Sequence, residues 1–306
     1  MSYKLLTYQE SSGPSAGILV GDEIFNAQII SGKPEYATVL GILNDWEAAD
    51  PVFAGLAKRG LNPAVGKPLD RIKLLAPIQF PGEIWAAGAN YQDHISEMDE
   101  GSEFKAVNSK LIGGRPWHFN KTSRGAIIGH DEKRALPYYS AKVDWEIELV
   151  AVIGKAAYRV PAAEALSYVA GYTIANDLSA RDHVVREGIA PDSPFRFDWL
   201  SQKGFEGACP MGPWITPASE IPDPQRLDLK LWIDEALMQN SNTKHMIYTV
   251  AEQIEEISAR VTMYPGDVIM TGTPSGVGMG RGVFLQSNQK LRLYIEKIGE
   301  LRHSFL

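Results

Sequence analysis

Apolar and polar positions alternate over much of the chain, and the runs are short, so the pattern predicts strands more often than helices. Ala16–Phe25 reads as two strands folded about a Gly-Asp turn. Apolar residues three and four apart predict helical pieces over Tyr36–Leu43 and Pro51–Arg59. Asn62-Pro63 and Lys67-Pro68 punctuate a connector, and Ile72–Pro77 leads into a second region. Strands are predicted there at Val143–Gly154, Tyr168–Ala175, Leu227–Ile233, Val268–Thr271 and Leu291–Ile298. Helical patterns interrupt them at Pro161–Ser167 and at Met246–Arg260, where Ile247, Val250, Ile254 and Ile257 form one stripe. Strands and helices do not alternate regularly, which favours a β-rich α+β fold over a doubly wound sheet. The expected organisation is a small N-terminal domain at 1–75 and a main domain at 76–306.

Composition narrows the partners. The 306 residues include 30 Lys+Arg and 37 Asp+Glu, a formal net charge of −7. No net positive field therefore draws the chain to nucleic acid or to an anionic membrane. The apolar run Leu149–Ile153 is far short of the roughly 20 residues that span a bilayer. Met1–Glu10 lacks the basic and apolar regions of a signal peptide. Cys209 is the only cysteine, so no internal disulfide forms, and a cytoplasmic location is expected. Its neighbours Ala208 and Pro210 offer nothing to activate it, which fits a buried structural thiol.

Three stretches carry candidate chemistry. In Asp144-Trp-Glu-Ile-Glu148, strand alternation puts Glu146 and Glu148 on one side, with Trp145, Ile147 and Leu149 on the other. They read either as a solvated strand face or as two carboxylates whose repulsion a divalent cation relieves. Asp177, at the end of the next strand, is either a helix cap with Asn176 or a third ligand. Three carboxylates without a Cys or His cluster suit Mg²⁺ or Mn²⁺, with Ca²⁺ also compatible, and not zinc. His94 and Glu97 share a face if their segment is helical; such a pair is a solvated surface feature or an oriented base. The glycine-rich Thr271–Gly282 stretch lacks the lysine of a nucleotide loop and instead fits a close-approach loop with the Thr271 and Thr273 hydroxyls.

In this order, Asn90–Glu97, Asp144–Glu148, Gly171–Asp177 with Arg181-Asp182, Cys209–Trp214, Gln239 and Thr271–Gly278 resemble the fumarylacetoacetate hydrolase superfamily. The resemblance runs over about 85–304 and implies a β-rich roll with a mixed sheet, usually dimeric. It implies that Glu146, Glu148 and Asp177 bind the metal and that His94 and Glu97 activate water. Lys203 would contact substrate at the reacting centre, and Lys121, Arg181, Gln239 and Thr273 would bind it. The implied partners are a small oxo-acid and a second copy of the chain. The expected reaction is metal-dependent hydrolysis of a carbon–carbon bond in an acylpyruvate or other β-diketo acid, in the breakdown of aromatic or sugar-derived acids. Decarboxylation, hydration or isomerisation of a 2-oxo acid would use the same metal-stabilised enolate, and a non-catalytic protein that binds metal or small acids is the alternative from another class. Met98–Asn120 carries no familiar lid pattern where relatives place one.

Overall fold

A computed structural model describes residues 2–98 and 108–306. The heart of the fold is a pair of antiparallel strands, Ile147–Ile153 and Val169–Asn176, in which every residue is buried. Strands covered on both faces have no solvent side to mark with polar residues, which explains their nearly unbroken apolar sequence. Among the described residues they sit inside an eleven-stranded mixed sheet. Its spatial order is Lys67–Pro68, Glu23–Asn26, Gly13–Val20, Lys4–Glu10, Cys209–Pro217, Val169–Asn176, Ile147–Ile153, Val268–Met270, Ile84–Ala87 and His118–Lys121, with Ile127–Ile128 alongside Cys209–Pro217. A five-stranded sheet packs on it in the order Ala236–Asn242, Asp228–Ile233, Lys290–Ile295, Gly299–Phe305 and Glu132–Arg134. Its last strands lie against Cys209–Pro217 and Val169–Asn176, and Asp228–Ile233 lies against Ile147–Ile153. The result is the expected β-rich α+β fold.

The strand pair expected at Ala16–Phe25 forms as Gly13–Val20 and Glu23–Asn26. These strands do not stand apart from the region beyond residue 75. Lys4–Glu10 pairs with Cys209–Pro217 at Leu5↔Ile215, and one apolar core runs from Tyr3, Leu5 and Phe53 to Trp145 and Ile174.

Helix limits differ from the periodic pattern for local reasons. The pattern over Tyr36–Leu43 breaks at Thr38, whose side chain accepts from the Gly41 N–H and starts a new helix, Val39–Asn44. The helix expected from Pro51 begins at Trp46, with Pro51 inside it. Ala49, Phe53 and Ala57 are all buried at a spacing of four, and that packing outweighs the hydrogen bond proline cannot make. The predicted Met246–Arg260 helix starts only at Val250, because Thr249 and Glu252 close a reciprocal capping box. Among the described residues no helix is long and apolar enough to cross a membrane.

The shared sheet and core predict a single calorimetric unfolding transition for the whole chain. Truncation at the seam, Leu5→Ala, should lower stability by about 2–5 kcal/mol while keeping one transition. Two separated transitions would show that the N-terminal strands fold on their own.

Candidate metal centre

The predicted Val143–Gly154 strand is interrupted. Val143–Asp144 pairs with Ser179–Ala180, Trp145 and Glu146 leave the ladder, and pairing resumes at Ile147. Side chains take the backbone groups that the ladder gives up. The Asp144 carboxylate accepts from the Trp145 N–H at 2.8 Å, and Asn176 Oδ1 accepts from the Glu146 N–H at 2.9 Å. Asp177 donates its own N–H to the Glu146 carbonyl at 2.9 Å, so Asp177 lies opposite Glu146 rather than capping a helix. Glu146, Asp177 and Glu148 meet beside this break. Carboxylate oxygens of all three come within 4.8 Å of one another, and all three residues are buried.

Three basic side chains converge on these acids. Lys203 Nζ donates to Glu146 at 2.9 Å and to Asp177 at 2.7 Å. Lys121 Nζ donates to the other Asp177 oxygen at 2.6 Å and to the Leu178 carbonyl. Arg181 bridges Asp144, at 2.8 Å, and Glu146. Burial pushes the Glu146 carboxyl up, but the charges of Lys203 and Arg181 outweigh it and hold the group well below the ordinary carboxylate range. Burial likewise disfavours the Lys203 ammonium, yet Asp177 and Glu146 keep it charged.

Glu148 is different. Among the described residues it has no ionic partner; its Oε2 accepts only the Gly272 N–H, at 2.7 Å. Burial pushes its carboxyl well above the ordinary value, and the neighbouring charges of Asp177 and Glu146 push it further. Three buried carboxylates this close concentrate negative charge that a divalent ion offsets, and an all-oxygen donor set suits Mg²⁺ or Mn²⁺.

His94 and Glu97 lie on the helix Gln92–Met98, three residues apart as expected, with Nδ1 3.9 Å from Oε2. Asn90 fastens the approach to this helix. Its amide donates to the carbonyls of Thr271 and Tyr248 and accepts from the Tyr248 N–H. Glu97 Oε2 also accepts the Gly276 N–H at 2.9 Å. Although burial pushes its carboxyl up, the nearby His94 ring and the hydrogen bond from the Gly276 N–H hold it below the ordinary value. The glycine-rich loop thus supplies one backbone N–H to Glu148 and another to Glu97. Gly272 and Gly276 do this with φ of +94° and +99°, and a Cβ on Gly276 would lie 2.2 Å from the Met238 carbonyl oxygen.

Gln239 and Thr273, expected to bind substrate, are buried in the frame behind the acids. Gln239 accepts from the Ile147 N–H and donates to Thr273 Oγ1, which in turn donates to the Ile147 carbonyl. Lys121 and Arg181 have their polar groups on the acids. Of the expected lid segment Met98–Asn120, residues 99–107 lie outside the described residues; the rest forms a turn at Ser109–Ile112 and the start of the strand His118–Lys121. Cys209 is buried against Met270, its thiol pushed up to about 12 by burial.

The sequence reading missed Asp144 and Asn176. Asp144 holds Arg181 and accepts the N–H groups of Trp145, Gly278 and Met279. Its place two residues before Glu146, in step with the strand alternation, was the available signal. Asn176 has no such signal, because its partners, the Glu146 N–H and His303, come from distant segments.

Residues 83–306 match the family model described as fumarylacetoacetate (FAA) hydrolase C-terminal. The chain belongs to the fumarylacetoacetate hydrolase family. A relative from Burkholderia orbicola (strain MC0-3), provisionally named a hydrolase, is 40% identical over 97% of this chain and 96% of its own. Among solved family structures, maleylpyruvate hydrolase from Sphingobium sp. SYK-6, in complex with manganese(II) and pyruvate, superposes with a TM-score of 0.75 at 27% identity, covering 99% of this chain and 98% of that one. The 2-hydroxyhepta-2,4-diene-1,7-dioate isomerase from Mycobacterium marinum superposes with a TM-score of 0.71 at 27% identity, covering 100% and 98%. The family fold therefore carries both hydrolases and isomerases.

Two outcomes follow from this geometry. At pH below the raised folded-state value of Glu148, binding of Mg²⁺ or Mn²⁺ should release up to one proton, from that group, and the apparent affinity should rise with pH by up to about tenfold per unit. Calorimetric titration in buffers of different ionisation enthalpy reads the proton directly, and a buffer-independent heat would contradict the assignment. In the metal-free chain Glu148 stabilises the fold at low pH and loses this contribution as pH rises through its raised value, whereas Glu146 contributes above the ordinary carboxylate range and loses it as pH falls below. Separately, Gly276→Ala should cost about 2 kcal/mol or more in urea unfolding, from its backbone conformation alone; an unchanged midpoint would show that the loop relaxes freely.

Proposed function

We propose that the chain is a divalent-metal-dependent hydrolase that cleaves a carbon–carbon bond in an acylpyruvate-type β-diketo acid. The observation that supports this reading is the His94–Glu97 pair, with Glu97 held by the Gly276 N–H and the His94 charge felt at Glu146, one of a three-carboxylate, oxygen-only cluster. Glu146, Glu148 and Asp177 would hold the ion, which when bound supplies Lewis acidity to the oxo-acid head of the substrate.

The chain's own residues account for the remaining requirements. Glu97, held anionic, stabilises the positive charge that His94 acquires on taking a proton from water. Among the described residues His94 Nδ1 has no hydrogen-bond partner. The water oxygen adds to the acyl carbonyl carbon distal to the carboxylate, and the bond from that carbon to the methylene breaks. Its electron pair passes into the oxo-acid fragment as an enolate, and the proton held by His94 returns to the methylene carbon. The products are one carboxylic acid and one 2-oxo acid. Lys203 and Lys121 supply positive charge beside the developing enolate.

Isomerisation or decarboxylation through the same enolate is a second reading, favoured by the isomerase among the structural neighbours. It consumes no water, so isotope incorporation separates the two. With Mg²⁺ or Mn²⁺, an acylpyruvate should yield a 2-oxo acid and a carboxylic acid in equal amounts, with ¹⁸O from water in the carboxylic acid. His94→Ala should lower kcat by about 10²–10⁴-fold. Glu148→Gln should abolish metal binding by calorimetry. Turnover that survives His94→Ala, or product without solvent oxygen, would remove the hydrolytic reading.

A further inference from the structure

The two elements that bring lysines to the acids also bring aromatic rings. On the strand His118–Lys121, Phe119 lies two residues before Lys121 and so on the same face. On the short helix Trp199–Lys203, Trp199 lies four residues before Lys203 and so on the same side. The rings meet: Phe119 stacks on Trp199 with centroids 5.3 Å apart at 23°, and Trp117 packs edge-on against Trp199 at 5.4 Å. Lys203 Nζ, bonded to Glu146 and Asp177, stands 5.2 Å from the Phe119 ring centroid. A continuous path of contacts therefore leads outward from the carboxylates through the Lys203 ammonium to Phe119, and on to two indoles. Those indoles are not covered: Trp117 is 44% exposed and Trp199 38% exposed.

We propose that Phe119, Trp117 and Trp199 form the wall that selects the part of the substrate distal to its oxo-acid head, and that this part is a planar, uncharged aryl or conjugated group. This rests on the reading of the carboxylate cluster as the site of the oxo-acid head. An aryl tail gains from offset stacking and from burying apolar ring surface left open in the free chain. A carboxylate tail meets the negative faces of the rings and loses hydration without a compensating partner from this wall.

The test uses the whole chain with saturating Mg²⁺ and three probes that share a 2-oxo-acid head: pyruvate, 2-oxo-4-phenylbutanoate and 2-oxoglutarate. Calorimetric titration should show the phenyl compound binding at least about tenfold tighter than pyruvate, and 2-oxoglutarate no tighter than pyruvate. Trp199→Ala should lower the phenyl-to-pyruvate affinity ratio about tenfold. Because Trp199 shares its helix with Lys203, Trp117→Leu provides the same reading from a separate element. Loss of both affinities in proportion, an unchanged ratio in both variants, or a wild-type preference for 2-oxoglutarate would overturn the proposal. A phenyl preference without acylpyruvate turnover would overturn the hydrolase reading alone, and turnover of benzoylpyruvate no faster than acetylpyruvate in kcat/KM would overturn this inference alone.

Discussion

Everything at the centre of this molecule answers to one electrostatic constraint: four acids, Asp144, Glu146, Glu148 and Asp177, are buried within reach of three buried or nearly buried bases. Removing one member of a buried ion pair typically costs about 3–5 kcal/mol, because the partner is left charged in a poorly solvating interior. Lys121, Lys203 and Arg181 are therefore as much a part of the fold as the apolar residues around them. Together they satisfy three of the acids and leave Glu148 with one backbone N–H. The imbalance is local, and it sits where the strands part.

The departures from regular structure nearby serve the same arrangement. The interruption at Trp145 and Glu146 lies where Glu146, Glu148 and Asp177 come together. That interruption is stable because Asp144, Asn176 and Gln239 take over the exposed backbone N–H groups, leaving no buried donor unpaired there. The glycine-rich loop approaches from the other side with a backbone that other residues adopt only under strain, and it spends two of its N–H groups on Glu148 and Glu97.

Much of this was legible in the sequence. Central strands announced themselves by long apolar runs; Glu146 with Glu148 and His94 with Glu97 stood out by spacing within a single segment, and Asp177 by its place at the end of the next strand. The interruption was not legible, since alternation through Asp144–Leu149 is that of an ordinary strand and the groups that break it come from elsewhere in the chain. For the same reason the hydrogen bonds of Gln239 and Thr273 with the backbone of Ile147 and with each other were not legible. The sheet that joins Leu5 to Ile215 was equally hidden, because pairing between segments so far apart leaves no local trace. Phe119 and Trp199 carried a faint signal, each at a strand or helix repeat from a lysine, but that repeat has meaning only once both lysines are seen to reach the same acids.

The hydrogen bond between Asn176 and His303 spans 127 residues, that of Trp145 with Gly276 spans 131, and that of Asn90 with Thr271 spans 181. Burial depresses the His303 imidazole to about 3, so this brace stays uncharged across the physiological range. Contacts of such long sequence separation are entropically expensive to close and form slowly. The carboxylate cluster is thus assembled by the fold as a whole: the segments that brace it lie far apart in the chain, and an unfolded chain presents scattered acids rather than a trap for free cations.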